Sequence, residues 1–489
     1  LSPHVEVYQR AGCIVGRGTT KGKTHKGEVV VFDRIAHYTV NSLRAVMAKA
    51  ITFLAPGKTA SRFAPCHPPK EYARLLLDHP EKNYPILYGL ISAPTLRADG
   101  SILDKPGYDE RTGLFFDPKG EVFCPIPANP TKDDALAALK ELLEPIAKFP
   151  FVDEASKSVQ LARMLTGVCR TALFTSPLFG YTAPSARTGK SMLVDIACIL
   201  SHGHVAPVVV ASSAFEELDK QLQAMVSSGD TIIALDNQDT DEALESNLLC
   251  QMLTQPVVKI RPFGQNQDML DFPSLAVVSV TGNNLAIAKD LTERTLLCSL
   301  DAKMEVPGRR KFEFNPVVMV MENRARLVRA CLIILRAYVV ASRPAHDIMP
   351  MGGFENWSGW VRSALVWLGC DDPCATMDKI RASDQSRGLH IKIMEFWEAR
   401  FGRTEMSAGD AVKAAQNGCD DGGSDLIDAF WCTAKKGAKN LPMALGKWLS
   451  SKDGVVSDGR KFASVGSKGH LKYRLETVSE PQTDTSSKG

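Results

Sequence analysis

The chain has 489 residues, 44% of them hydrophobic and 23% charged, with a net charge of +3. That length is too great for one compact core and fits roughly three globular domains. No apolar stretch approaches the ~20 residues that a membrane span needs, and the longest, around Ala330 to Val340, is broken by Arg336. The twelve cysteines are scattered, with Cys370 and Cys374 the one close pair, which favours buried thiols in a reducing, cytoplasmic setting over a zinc site. With Leu1 in the first position, the native start is expected upstream, which leaves a preceding domain or a removed targeting segment open.

Residues 1–130 form a turn-rich mixed module, punctuated by Pro65, Pro68, Pro69, Gly107, Gly113 and Gly120. The core is expected over 131–345, led by a helix at 132–144 with an acidic first turn. Between about 170 and 300, short apolar runs alternate with helical segments: Ala172 to Phe179, Val205 to Val210, Thr231 to Leu235 and Ser274 to Thr281. Runs of that kind suit a parallel sheet covered on both faces, so the fold class is α/β. One long helix is expected over 316–342 and another over 354–368. A helical lid is expected over 346–400, a linker over 401–425 whose Gly-, Asp- and Ala-rich part from 403 is alternatively an irregular helical turn, a small basic domain over 426–478 and a disordered polar tail over 479–489.

Pro184-Ser185-Ala186-Arg187-Thr188-Gly189-Lys190-Ser191 lies between an apolar strand and the helix Met192 to Leu200. It matches the phosphate-binding loop G-x-x-x-x-G-K-S except at Pro184. In such a loop, backbone N–H groups of Ser185, Ala186, Arg187, Thr188 and Gly189 cradle phosphates. Lys190 neutralises the β- and γ-phosphates of ATP, and Ser191 ligates Mg²⁺. Asp236 ends an apolar strand 46 residues after Lys190, which suits a second ligand to Mg²⁺. Asn237 follows, where many related ATPases carry Glu; an amide orients water but is a poor base. Asp239, Glu242 and Glu217 are alternative carboxylates. Asn283, preferred over Asn284, tips a third strand 47 residues after Asp236 and suits a sensor of the γ-phosphate. Arg294, in Asp290-Leu291-Thr292-Glu293-Arg294-Thr295, is placed either to reach a neighbouring subunit's ATP or to pair locally with Asp290 or Glu293. Arg324, Arg326, Arg329 and Arg362 are candidate lid sensors.

Four elements in this order indicate an AAA+ ring ATPase. Residues 172–301, with Thr-Gly-Lys-Ser, Leu-Asp-Asn, Thr-Gly-Asn-Asn-Leu and Asp-Leu-Thr-Glu-Arg-Thr, resemble the AAA+ helicase-like ATPases of phages, prophages and staphylococcal cassette elements, relatives of the minichromosome-maintenance helicases. Ala93 to Ser101 and Pro106 to Leu114 resemble the segment before the motor in prophage primase–helicase proteins, and Trp360-Val361-Arg362 and Trp367-Leu368-Gly369 fit the same group. The resemblance spans about 85–370. It implies a hexameric ring in a bacterial cytoplasm, DNA as partner, a replication role and a possible primase partner. Pro184 and Asn237 depart from the wider pattern and bear on hydrolysis rate. The rival readings are an initiator or loader that remodels protein on DNA without unwinding it, and a DNA-binding assembly protein that does not turn ATP over.

Val257 to Asn266 suggests a hairpin whose Lys259 and Arg261 are candidates to hold a phosphate backbone, or are merely solvated charges. A helix at 441–450 followed by short strands around Val455-Val456, Lys461-Phe462 and Leu471 to Leu475 suggests a winged helix. Ten Lys and Arg against two Asp between Lys435 and Arg474 mark it for nucleic acid or for an acidic protein partner, with Lys447, Arg460, Lys461 and Lys472 as contacts.

Overall fold

The computed structural model describes residues 6–23, 29–56, 63–79, 81, 83–210, 215–238, 243–261, 269–304, 307, 314–383, 385–417, 423–433, 440–466 and 471–478. The chain divides into two compact units, Leu1–Asp378 and Lys379–Gly489. The split falls inside the segment 346–400 that sequence reading assigned to one lid. Among the described residues no helix is long and apolar enough to cross a membrane.

The first unit opens with a three-stranded antiparallel sheet, Tyr8–Arg10, Cys13–Lys23 and Val29–His37. Helix α1 (Lys132–Leu143) begins as its sequence dictates. Thr131 accepts from the Asp134 N–H while Asp134 reaches back to the Thr131 N–H, a reciprocal cap worth about 1 kcal/mol. Helix α2 (Glu154–Cys169) is buried along nearly its whole length and encloses polar side chains, Gln160 and Arg163 among them, as well as apolar ones.

The centre is an α/β layer. In chain order it comprises β1 (Leu178–Ala183), α3 (Lys190–His202), β2 (Val208–Val210), α4 (Phe215–Ser228), β3 (Ile232–Gln238), α5 (Asn247–Thr254), the hairpin β4 (Val257–Ile260) and β5 (Leu270–Pro273), β6 (Val277–Asn283) and β7 (Thr295–Ser299). The five-stranded sheet has the order β2-β3-β6-β1-β7, and every neighbouring pair is parallel. Its strands are buried on both faces: Leu178, Phe179, Tyr181, Leu235, Val280 and Leu296 are fully enclosed, as the unbroken apolar runs require. Burial of each such side chain contributes about 1.5–3 kcal/mol. The fifth strand, β7, is not among the runs picked out by sequence, and β1 starts later than expected, after a 3₁₀ turn at Arg170–Ala172 and an irregular stretch that ends in Pro177.

Two expected helices differ. The span 316–342 is two helices, α6 (Pro316–Glu322) and α7 (Arg324–Val340), broken at Asn323. Asn323 leaves helical dihedrals at φ −109°, ψ 18°, and its backbone N–H and its side-chain amide both donate to the Met319 carbonyl, closing the end of α6. The span 354–368 is helical but contains a π turn at Ser358–Arg362.

The second unit packs α8 (Gln385–Phe401), α9 (Ala408–Gln416), α10 (Gly423–Cys432) and α11 (Leu441–Ser451) with an antiparallel pair, β8 (Arg460–Val465) and β9 (Lys472–Thr477). Trp397, Phe430, Leu445, Leu449, Phe462 and Tyr473 form its core. Part of the expected 401–425 linker is therefore a packed helix: α9 is capped by Ser407 and buries Ala411, Val412 and Ala415. Val455 and Val456 do not form a strand and remain exposed. The tail 479–489 lies outside the described residues.

Candidate functional site

The loop 184–189 joins β1 to α3. Two of its residues adopt left-handed backbone, Arg187 at φ 61° and Gly189 at φ 111°. Gly189 is required on two counts. Its φ lies where L side chains are strained, and a Cβ there would stand 2.7 Å from Phe149 Cε1. The loop thus turns tightly into the first turn of α3, whose free N–H groups and dipole favour an anion.

Lys190, buried at the helix start, donates to Asn283 Oδ1 at 2.8 Å and to the Ser185 carbonyl at 3.3 Å. Burial lowers its pKa, against the opposing pull of Asp236. Ser191 donates to Asp236 Oδ1 at 3.2 Å. The same oxygen accepts from the Thr281 hydroxyl. Thr281 Oγ1 in turn accepts from the Asn237 N–H at 3.2 Å. Residues 190, 236 and 283, far apart in sequence, therefore meet at the carboxyl ends of adjacent parallel strands, where open α/β sheets place their ligand sites. Asn284, the alternative amide, is exposed, and its N–H is bound to the Ala183 carbonyl.

Asp236 and Asn237 sit on an irregularity in β3, where the register with β6 shifts between Leu235 and Gln238. Asn237 takes φ 56° and projects an exposed side chain, as a bulge that re-aims side chains does. A carboxyl missed by sequence reading, Asp195, lies one turn beyond Ser191 on α3. It accepts from the Ala206 N–H at 3.1 Å, and burial, reinforced by Asp236, raises its pKa to about 6. Its signal was faint: an Asp inside an apolar helix run reads as a solvent-facing position.

The donors present suit a nucleoside triphosphate with a divalent cation. The Ser191 hydroxyl and the Asp236 carboxylate are hard oxygen donors beside the Lys190 ammonium at a helix start, a set that could hold Mg²⁺ and phosphate. Among the alternative carboxylates, Glu217 is exposed and pairs with Lys220, while Asp239 and Glu242 lie outside the described residues.

Arg294 does not join this cluster within the chain. It ends a 3₁₀ turn, donates to the Asp290 carbonyl at 2.5 Å and stands 3.7 Å from the Asp290 carboxylate. The four candidate lid arginines are engaged elsewhere. Arg324 pairs with Glu121 and donates to the Ile199 carbonyl, Arg326 pairs with Glu144, Arg329 donates to the Pro125 carbonyl, and Arg362 pairs with Asp372. The expected hairpin is present as β4 and β5. Lys259 is opposite Asp271 in register, Lys259 and Arg261 are both exposed, and the stretch Pro262 to Asn266 lies outside the described residues. A cavity of about 600 Å³ lies away from the cluster and is lined by His37, Tyr38, Asp78, Gln223, Arg261 and Phe272, among others.

In the second unit the basic surface is smaller than its sequence window suggested. Arg460 pairs with Glu398 at 2.9 Å and Asp458 at 2.6 Å, and Lys461 with Glu476 at 3.4 Å. Arg474 pairs with Glu476 as well. Residues 379–489 hold 18 Lys and Arg against 14 Asp and Glu. Lys447 and Lys472 are exposed, with no carboxylate partner among the described residues. Lys435, Lys436, Lys439 and Lys468 lie outside them.

No family model matches the chain, and no curated protein matches it. Among solved structures it is similar to the apo A form of the NrS-1 C-terminal region, at 11% identity and TM-score 0.37, covering 97% of this chain and 96% of that one. A second apo structure of the same region gives 10% identity and TM-score 0.35, covering 94% of this chain and 96% of that one. The JCV helicase gives 14% identity and TM-score 0.22, over 49% of this chain and 67% of that one. With TM-scores of 0.37 and below, these likenesses carry no functional weight.

Proposed function

We propose that the chain is a P-loop ATPase of the AAA+ class. More particularly, it is a ring-forming motor that couples ATP hydrolysis to movement on DNA during replication of a phage or mobile element. One observation carries the ATPase reading: the Lys190 ammonium, the Ser191 hydroxyl, the Asp236 carboxylate and the Asn283 amide converge from one helix and two neighbouring strands.

In this reading Lys190 is held ready by Asn283 and the Ser185 carbonyl and turns to the terminal phosphates, while the N–H groups at the start of α3 take the remaining phosphate oxygens. Mg²⁺, held by Ser191 and Asp236, would withdraw charge from the β- and γ-phosphates. Asn283 orients the attacking water. Asn237, an exposed amide, can hold that water but takes no proton from it, so turnover is slow unless a carboxylate is supplied from elsewhere. Arg294, 26% exposed with its Nε buried and unpartnered, is the residue to reach a neighbouring copy's ATP. Lys259 and Arg261 on the hairpin, and Lys447 and Lys472 on a winged-helix-like second unit, are the DNA contacts.

The test is ATP turnover by Lys190→Ala, with and without single-stranded DNA, beside strand displacement on a forked duplex. Loss of turnover in a folded variant is expected, and unchanged turnover would remove the reading. Turnover without strand displacement would leave the ATPase and favour an initiator or loader.

A further inference from the structure

Strand β6 presents alternate residues to one face, and Ser279, Thr281 and Asn283 share it. Each is committed to a different neighbour. Ser279 accepts from the buried Arg163 Nε at 2.9 Å, and Asn283 accepts from Lys190. Thr281 stands between them, 5% exposed, with both capacities of its hydroxyl used. It donates to Asp236 Oδ1 and accepts from the Asn237 N–H.

That geometry is more than satisfaction of a buried hydroxyl. The Asn237 N–H belongs to the stretch where β3 and β6 lose register, so the sheet ladder does not take it up. Thr281 supplies the missing acceptor and pins the bulge. The same bulge fixes the direction of Asp236, and the Thr281 proton falls on the oxygen that also accepts from Ser191. One side chain therefore sets both the backbone that carries the carboxylate and the rotation of the carboxylate itself.

We propose that Thr281 is a positioning residue for a divalent cation: its hydroxyl locks the β3 bulge and aims Asp236 so that Asp236 and Ser191 act as one preformed pair of oxygen ligands. The proposal rests on the ATPase reading, since that reading supplies the cation. In this role Thr281 acts through Asp236 and is not itself a ligand. Outer partners of metal-binding carboxylates commonly change metal affinity by about 10–100-fold when removed.

Three measurements on the full chain test it, with Thr281→Val as the isosteric variant lacking the hydroxyl and Thr281→Ser as the variant that keeps it. The first needs no ligand. Amide hydrogen exchange at Asn237 should quicken by about tenfold or more in Thr281→Val, because its N–H loses its acceptor, and should return toward wild type in Thr281→Ser. The second is Mn²⁺ affinity in the presence of ADP, read by electron paramagnetic resonance, which should weaken by about 10–100-fold in Thr281→Val while ADP binding without metal stays unchanged. The third is the Mg²⁺ concentration giving half-maximal ATP turnover, which should rise in parallel.

Unchanged Mn²⁺ affinity in a folded Thr281→Val protein overturns the proposal, and so does failure of Thr281→Ser to restore it. If Thr281→Val does not fold, wild-type exchange at Asn237 and wild-type Mn²⁺ affinity in Thr281→Ser are still required, and their loss counts against the hydroxyl. A wild-type protein that binds neither ADP nor Mn²⁺ refutes the ATPase reading itself, and the metal role of Thr281 falls with it. Normal wild-type binding with an indifferent Thr281→Val refutes only the positioning role.

Discussion

Gly189→Ala tests whether the loop before α3 is built as tightly as its geometry states. Two separate costs are expected. Alanine at φ 111° occupies backbone that L residues rarely adopt, which costs about 1–3 kcal/mol. The new methyl would also stand 2.7 Å and 3.0 Å from two ring carbons of Phe149. That ring is 5% exposed, so it has little room to withdraw, and overpacking of this kind costs about 1–3 kcal/mol. Together they predict a loss of about 2–6 kcal/mol by urea denaturation of the first unit. Gly12→Ala separates the two terms. Gly12 has φ 74° with nothing within 4 Å of its Cβ position, so it should lose only the backbone part, about 1–2 kcal/mol. In a Phe149→Leu background, Gly189→Ala should cost at least about 1 kcal/mol less than in wild type, as contacting residues do. A loss below about 0.5 kcal/mol for Gly189→Ala, the range of an ordinary surface change, would refute both the strained turn and the Phe149 contact.

Asp195 binds its proton more tightly in the fold, at about 6, than in the open chain, near 3.8. Its contribution to stability is therefore fully present below pH 4 and lost as pH rises through about 6. Asp195→Asn keeps an acceptor for the Ala206 N–H, so without divalent cations it should melt above wild type at pH 8, by about 2–3 kcal/mol, and lose that advantage by pH 4; a difference that does not change with pH would refute the buried-carboxyl account. For the second unit, Lys447→Gln together with Lys472→Gln should reduce the salt slope of DNA binding by about 2. Lys461→Gln should change it less, because its charge is already paired with Glu476. An equal effect of Lys461 would mean that the pairing does not hold when DNA is present.

The candidate site was legible where short-range chemistry dictates it. Gly189-Lys190-Ser191 opens a helix after a strand, and Asp236 and Asn283 end apolar runs, so the loop motif, the apolar runs and their spacing together pointed to one end of the sheet. Thr281 was not legible, because a threonine inside an apolar strand is also what β-propensity favours. Nor was the β3 bulge, which is set by pairing between strands rather than by either strand. Helix α9 was read as linker because Gly409 and Asp410 masked its Ala411, Val412 and Ala415 stripe. The basic footprint was overstated because Glu395, Glu398 and Glu405, which neutralise part of it, lie upstream of the window that was counted.

The strand order has a consequence for how the protein is made. β6 sits between β3 and β1, yet it is synthesised after both. A nascent chain that has reached residue 276 holds two strands with an empty slot between them, each offering unpaired N–H and carbonyl groups and apolar side chains. Closing the slot requires pairing across long sequence separations, the slow kind of contact, and a ribosome adds only about 5–20 residues per second. During that interval the partly made layer is an open template for another chain's edge. Asn283, the partner of Lys190, is delivered by the same late insertion, so the nascent protein cannot complete that cluster before it has sealed its own sheet.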